Sequence, residues 1–231
     1  MLHQAQGIIL HSRNYRETSV LLDVFTREYG RLSLIARGAR KNIKTGNALQ
    51  QYALIDFVWF GNQEIAKLNS FELRKSITLS SKLLFSGLYI NELLYRTIPK
   101  LIAYPKLFDA YLNTLHDFAQ NHAYRLRKFE HDLLDALGYA CDLTRTFDTE
   151  EAISPQMHYR FIPQMGLQKA LNTHAQTISA SALFAFADEQ YFDDLITDEQ
   201  RQVLSELKRL LQSAISNIVD LKLIKTKQLN H

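Results

Sequence analysis

Between Gly7 and about Ser76 the apolar positions fall into short runs and alternations. Gly7–Ser12 is apolar and β-branched, Arg13–Glu17 reads as a polar connection, and Thr18–Thr26 is a second run rich in Val, Leu and Phe. Glu28-Tyr29-Gly30 makes a tight return into a third run. There Leu32, Leu34 and Ala36 alternate with Arg31, Ser33, Ile35 and Arg37, the period of a strand with one buried face and one largely polar face. After a longer loop, Tyr52–Phe60 and Ile65–Leu73 form another pair, joined by the hairpin signal Gly61-Asn62-Gln63. Five short strands with one long loop after the third predict a small barrel of the OB type, with an SH3-like barrel as the alternative, rather than a sandwich.

The period changes at about Ser80. Ser80-Ser81 can cap a helix with Leu83, Leu84, Leu88, Leu94 and Tyr95 at helical spacing, which must end before Pro99. Pro105 opens a second helix with the stripe Leu107, Phe108, Tyr111, Leu112 and Leu115. A third runs from about Tyr124 to Leu137, with Leu126, Phe129, Leu133 and Leu134 inward and Gly138 as its stop. Residues 144–172 break the helical pattern, and His158–Ile162 with Gly166 and Leu167 suggests a short hairpin. Helix returns over Ser179 to about Ala187, and an acidic connection (Asp188, Glu189, Asp193, Asp194) leads to a long amphipathic helix opened by Asp198. The expected class is α+β: an N-terminal barrel over residues 1–79, then an all-α domain over 80–231 with an irregular excursion at 144–172.

Charge sharpens the division. The formal net charge of the 231-residue chain is only +3, yet residues 1–80 hold eleven Lys or Arg against six Asp or Glu, leaving the remainder slightly acidic. Such a concentration suits a nucleic-acid or acidic-surface partner for the N-terminal part. Cys141 is the only cysteine, so an intrachain disulfide and a multi-cysteine zinc site are excluded, and a reducing compartment is the natural reading. Without a leader-like N-terminus or an apolar run long enough to span a bilayer, the chain reads as soluble and cytoplasmic, with no membrane partner.

No acid occurs between Glu28 and Asp56, while Arg31, Arg37, Arg40, Lys41 and Lys44 all do. A strand carrying guanidinium groups into a basic loop is suited to phosphate contact, each cation displacing a condensed counterion; the plainer reading is a solvated face. Arg13 and Arg16 extend the same patch if the barrel closes. Tyr15, Tyr29 and Tyr52 are candidate stacking platforms or core residues, with Tyr15 favoured for stacking because it sits among polar neighbours. For catalysis the chain offers little. The histidines lack metal-ligand spacing, and there is no phosphate-cradling Gly-rich loop or nucleophile elbow. The acids at 188–194 read as a solvated linker rather than a metal cluster.

Several segments together resemble the RecO family of bacterial recombination mediators. They are Gly7-Ile8-Ile9-Leu10-His11-Ser12, Glu17-Thr18-Ser19, Asp23-Val24-Phe25-Thr26, Gly30-Arg31 with Gly38-Ala39-Arg40, Ser86 to Leu94, Arg127 to Tyr139, and the closing Leu223 to Leu229 with Lys225-Thr226-Lys227. The resemblance implies an N-terminal OB domain on a helical C-terminal domain, with no catalysis and no cofactor. It implies a protein that binds single- and double-stranded DNA and anneals strands coated by single-strand-binding protein (SSB). It also implies that the protein works with RecR and thereby helps load RecA. By the same resemblance the third helix helps form a pocket for the acidic SSB C-terminal tail, with Arg127 and Lys128 at its rim. Many relatives carry a zinc-binding cysteine cluster after the Gly-Tyr pair. Here only Cys141 is present and Thr146 stands where a first ligand would fall, so no zinc is expected and packing of Tyr159, Phe161 and Ile162 should hold the excursion. The competing functions are a protein adaptor whose barrel binds RecR or another protein with incidental DNA contact, and a metal-dependent nuclease.

Overall fold

The N-terminal alternations become five strands: β1 (Leu2–Tyr15), β2 (Ser19–Thr26), β3 (Gly30–Ala36), β4 (Ala53–Phe60) and β5 (Ile65–Ser76). They belong to a computed structural model that describes residues 1–42, 48–61, 63–171, 176–220 and 224. Lys44, together with Leu223 and Lys225–Leu229 of the closing motif, lies outside the described residues.

The strands pair in the order β1-β2-β3-β5-β4, and β4 pairs back onto β1, so the sheet closes on itself. All neighbours are antiparallel except β3 and β5, which run parallel with Ser33 opposite Ile65 and Ile35 opposite Lys67. The first half of β1 pairs with β4 and the second with β2, changing partner at Gly7, where a Cβ would crowd the Phe25 carbonyl and the Thr26 methyl. Ile9, Leu22, Val24, Leu32, Leu34, Ile55, Phe57 and Trp59 fill the interior.

Two helices follow, α1 (Ser81–Thr97) and α2 (Pro105–Asp117). Pro105 occupies the first turn, as its missing N–H allows, and Ile98 before Pro99 is already extended. Their apolar stripes lie against the outside of the barrel: Phe108 meets Phe25 edge-on at 5.4 Å, and the buried Tyr111 hydroxyl donates to Asn91. The polar outer face expected of β3 is therefore partly covered. Ser33 is buried and donates to Asp23 at 2.6 Å, and Arg31 and Ile35 on the same face are half-buried.

Residues Met1–Gln120 form one compact unit and Asn121–Leu221 a second. The second contains α3 (His122–Ala136), a three-stranded sheet of β6 (His158–Ile162), β7 (Gly166–Lys169) and β8 (Thr177–Ser179), and then α4 (Ala180–Ala187), α5 (Glu189–Asp194) and α6 (Thr197–Ile215). The α3 and α6 helices pack together, and each buries apolar residues, Phe129 and Leu133 on α3 and Leu207 and Leu211 on α6. The class is mixed α+β.

Two segments differ from the sequence expectation. The acidic connection is a short helix, α5, capped by Asp188, which accepts from the Gln190 amide. Within the excursion, Tyr159 and Leu167 are buried but Phe161 and Ile162 only half so. Hydrogen bonds add to the packing there: the Tyr159 hydroxyl accepts from the Ser154 amide, and Thr146 Oγ accepts from Glu151 N and bonds Thr149 Oγ at 2.8 Å.

Candidate nucleic-acid interface

Which residues of β1 face outward is decided by one irregularity. Ile9 opposes Val24 and His11 opposes Asp23, so Leu10 is an extra residue, a bulge that reverses the phase of the strand. The Leu10 carbonyl, lost to the ladder, accepts from Gln51 Nε2 at 2.7 Å and Asn91 Nδ2 at 3.4 Å. Without the bulge, His11, Arg13 and Tyr15 would share the inner face of Ile9. With it they stand on the outer face, opposite Asp23, Leu21 and Ser19.

Arg13 and Arg16 are exposed, and Arg16 turns the corner between β1 and β2 with φ 54°. The end of β3 arrives beside this corner, because Val20 opposes Ala36, so Arg37 emerges next to Ser19. The loop that follows is pinned to the same corner. Arg40 N donates to Thr18 O, and the Arg40 guanidinium donates to the carbonyls of Arg16 and Glu17 at 3.2 and 2.9 Å. Arg37, Arg40 and Lys41 are all exposed. Five cations from two separated stretches thus share one end of the barrel, with Glu17 the acid among them. Among the described residues none of the five forms an ion pair with a carboxylate. Arg27, by contrast, forks onto Asp109, whose pKa the guanidinium lowers, and Arg74 is held by Asp56 and Glu72.

Arg31 departs from the expectation of a phosphate contact. Its Nε donates to the Ile98 carbonyl at 3.0 Å and its guanidinium lies 5.2 Å from the centre of the Tyr95 ring. The cause is the segment after α1, which runs beside β3: Leu101 N donates to Arg31 O, and Gly30 sits under the Ile102 backbone with φ 67°, where no Cβ fits. Arg31 serves to fasten that segment.

The tyrosines separate. Tyr15 is half-buried on the outer face with the Arg16 guanidinium 5.3 Å from its ring centre. Tyr29 meets Trp59 and His3 at the other end of the barrel, lining a cavity of about 270 Å³. Tyr52 is a core residue packed beside Gly87, and desolvation raises its pKa.

In the second unit, Arg127 is not a rim cation. It lies on the buried face of α3, 5% exposed, with Nη2 2.9 Å from the buried Glu130 carboxylate. Lys128 is half-buried, donates to the Phe186 carbonyl at 3.2 Å and sits 4.5 Å from the centre of that ring. The acids at 188–194 are engaged within the unit: Glu189 with Arg125, Asp193 with Asn121, Asp194 with Gln190. Among the described residues no three His, Cys, Asp or Glu side chains gather as a metal site would require, and no helix is long and apolar enough to cross a membrane.

Sequence reasoning passed over His11 and Asp23. The spacing His11-x-Arg13-x-Tyr15 was visible as a period of two, but the bulge that turns it outward has no signature in the pattern.

Two family models and a set of relatives match this chain. Residues 1–77 match the family described as Recombination protein O N terminal, and residues 81–227 match Recombination protein O C terminal. The DNA repair protein RecO of Vibrio cholerae is 34% identical over 225 residues, covering 96% of this chain and 90% of that protein. Its namesake in Aliivibrio salmonicida is 35% identical over 226 residues, 96% and 92% of the two chains. That of Thiobacillus denitrificans is 32% identical over 244 residues, 99% and 91%. Matched by both family models over most of its length, the chain belongs to the RecO family of DNA repair and recombination proteins.

Proposed function

We propose that this protein is a DNA-binding recombination mediator that anneals complementary single strands and helps load RecA onto SSB-coated DNA, acting in the cytoplasm without catalysis. The observation that carries this reading is the group Arg13, Arg16, Arg37, Arg40 and Lys41 at one end of the barrel, exposed and, among the described residues, unmatched by carboxylate partners. Residues 1–79 act as an OB-type nucleic-acid-binding domain; the strand order with its parallel β3–β5 closure supports that assignment. Phosphates lie across the five cations, and Tyr15 offers a ring to a base once Arg16 swings away. Annealing follows from neutralising two polyanions together while leaving base edges free to pair, so backbone contact outweighs base readout.

The helical part, residues 80–231, supplies the contact with the SSB tail. Lys128, nearer the surface, meets carboxylates there, and Arg127 holds the helix that presents it. The protein works together with RecR. The decisive experiment is annealing of complementary oligonucleotides by the purified chain, with and without SSB coating. Acceleration in both cases is expected; absence of acceleration in both would refute the reading.

A protein adaptor with incidental DNA contact is the second reading. It is favoured by the half-exposed apolar residues Leu2 and Phe60, paired across β1 and β4, and Leu101 and Ile102 beside β3. It predicts partner binding insensitive to salt and little annealing by the chain alone.

A further inference from the structure

His11 stands on the outer face of β1 two residues before Arg13, on the side the Leu10 bulge has turned outward. Its side chain is 50% exposed, and its Nδ1 lies 3.7 Å from Oδ2 of Asp23, a carboxylate 3% exposed. Asp23 Oδ1 is occupied by the Ser33 hydroxyl, but Oδ2 has no hydrogen-bond partner. A buried carboxylate with an open oxygen is costly unless a cation compensates it. His11 is the titratable group placed to do so.

The remaining charged and titratable groups around His11 are few. On β1 there is Arg13. On α1 there are Tyr95, whose ring lies 5.5 Å from that of His11, and Glu92 with Arg96, which pair with each other and line the same groove. On β3 there is Arg31, which bears on Tyr95. The Glu92–Arg96 pair is internally neutral and the two arginines keep their charge at every physiological pH. Protonation of His11 is therefore the change of charge open to this side of the cationic end.

We infer that His11 is a proton-sensitive contact of the DNA-binding face, extending the row Arg13–Tyr15 and, when charged, cancelling the buried Asp23 carboxylate beneath it so that a phosphate can be held there. Neutral His11 leaves Asp23 uncompensated behind Arg13, which weakens the local field for a polyanion. Charged His11 removes that penalty. DNA and proton then bind cooperatively, so affinity is higher at pH 6 than at pH 8. The inference rests on the proposed DNA function and adds to it a sixth contact with a defined condition of use.

The test is fluorescence-anisotropy binding of a labelled oligothymidine, whose bases do not titrate in the range used, to the full chain. It is run at pH 6 and pH 8 over a series of salt concentrations, for the wild type and His11→Gln. The wild type should bind about three- to tenfold tighter at pH 6, with a log–log salt slope steeper by about 0.7, one more phosphate on a single strand. His11→Gln should lose that increment, its affinity and salt slope differing little between the two pH values. A full pH response in His11→Gln overturns the inference and leaves DNA binding standing; no binding by the wild type at either pH overturns both. A second measurement needs no variant: the NMR titration midpoint of His11 should move upward when oligothymidine is added, and an unmoved midpoint contradicts the contact.

Discussion

Arginine residues of similar appearance in the sequence have three different fates in the fold. Arg37 and Arg40 are exposed at the cationic end, Arg31 is spent on the Ile98 carbonyl and the Tyr95 ring, and Arg127 is buried against Glu130. The last is the most consequential for stability. Removing one partner of a buried pair strands the other charge in a medium that solvates it poorly. Arg127→Ala should therefore lower unfolding free energy by about 3–5 kcal/mol, measured by urea denaturation of the whole chain. A loss under about 1 kcal/mol would show that Arg127 is no part of the core and would return it to the rim of a peptide pocket. Residue type and local spacing could not tell these fates apart, because each depends on what lies across from the side chain in another element.

At the scale of elements the sequence was legible wherever a single period ran unbroken. The second to fifth barrel strands, the helices opened at Ser81 and Pro105, and the long C-terminal helix stand where alternation and helical stripes put them, whereas β1 runs from Leu2 to Tyr15 and not only over Gly7–Ser12. The pattern failed where a structural irregularity or a long-range cover intervened. The bulge at Leu10 carries β1 on to Tyr15, so that Arg13 is a strand residue rather than part of a connection. The outer side of β3 looked polar because its residues were Arg31, Ser33 and Ile35, yet the packing of α1, α2 and the segment after α1 against the barrel is a tertiary fact with no local period. Gly30 is where that cover comes closest. Its φ of 67° and the Ile102 backbone above it leave no room for a side chain. Gly30→Ala should cost about 1–3 kcal/mol for the backbone conformation alone, and more if the strap after α1 is displaced. Thermal unfolding measures the total, and an unchanged midpoint would mean that the strap does not sit on β3.

For the molecule as a whole, the modest net charge conceals a basic N-terminal third, and folding concentrates that charge further. It gathers Arg13 and Arg16 with Arg37, Arg40 and Lys41 from a stretch more than twenty residues away in the chain. The family match over nearly all of the sequence places this arrangement in a DNA repair protein. The account stands or falls on whether those cations meet phosphates. The salt dependence of single-stranded DNA affinity, compared between the wild type and a variant with Arg37, Arg40 and Lys41 all replaced by alanine, tests it directly. Each lost phosphate contact flattens the log–log slope by about 0.7, so the triple variant should bind more weakly with a slope shallower by about 2. A variant with the affinity and slope of the wild type would contradict the assignment of this end of the barrel to DNA.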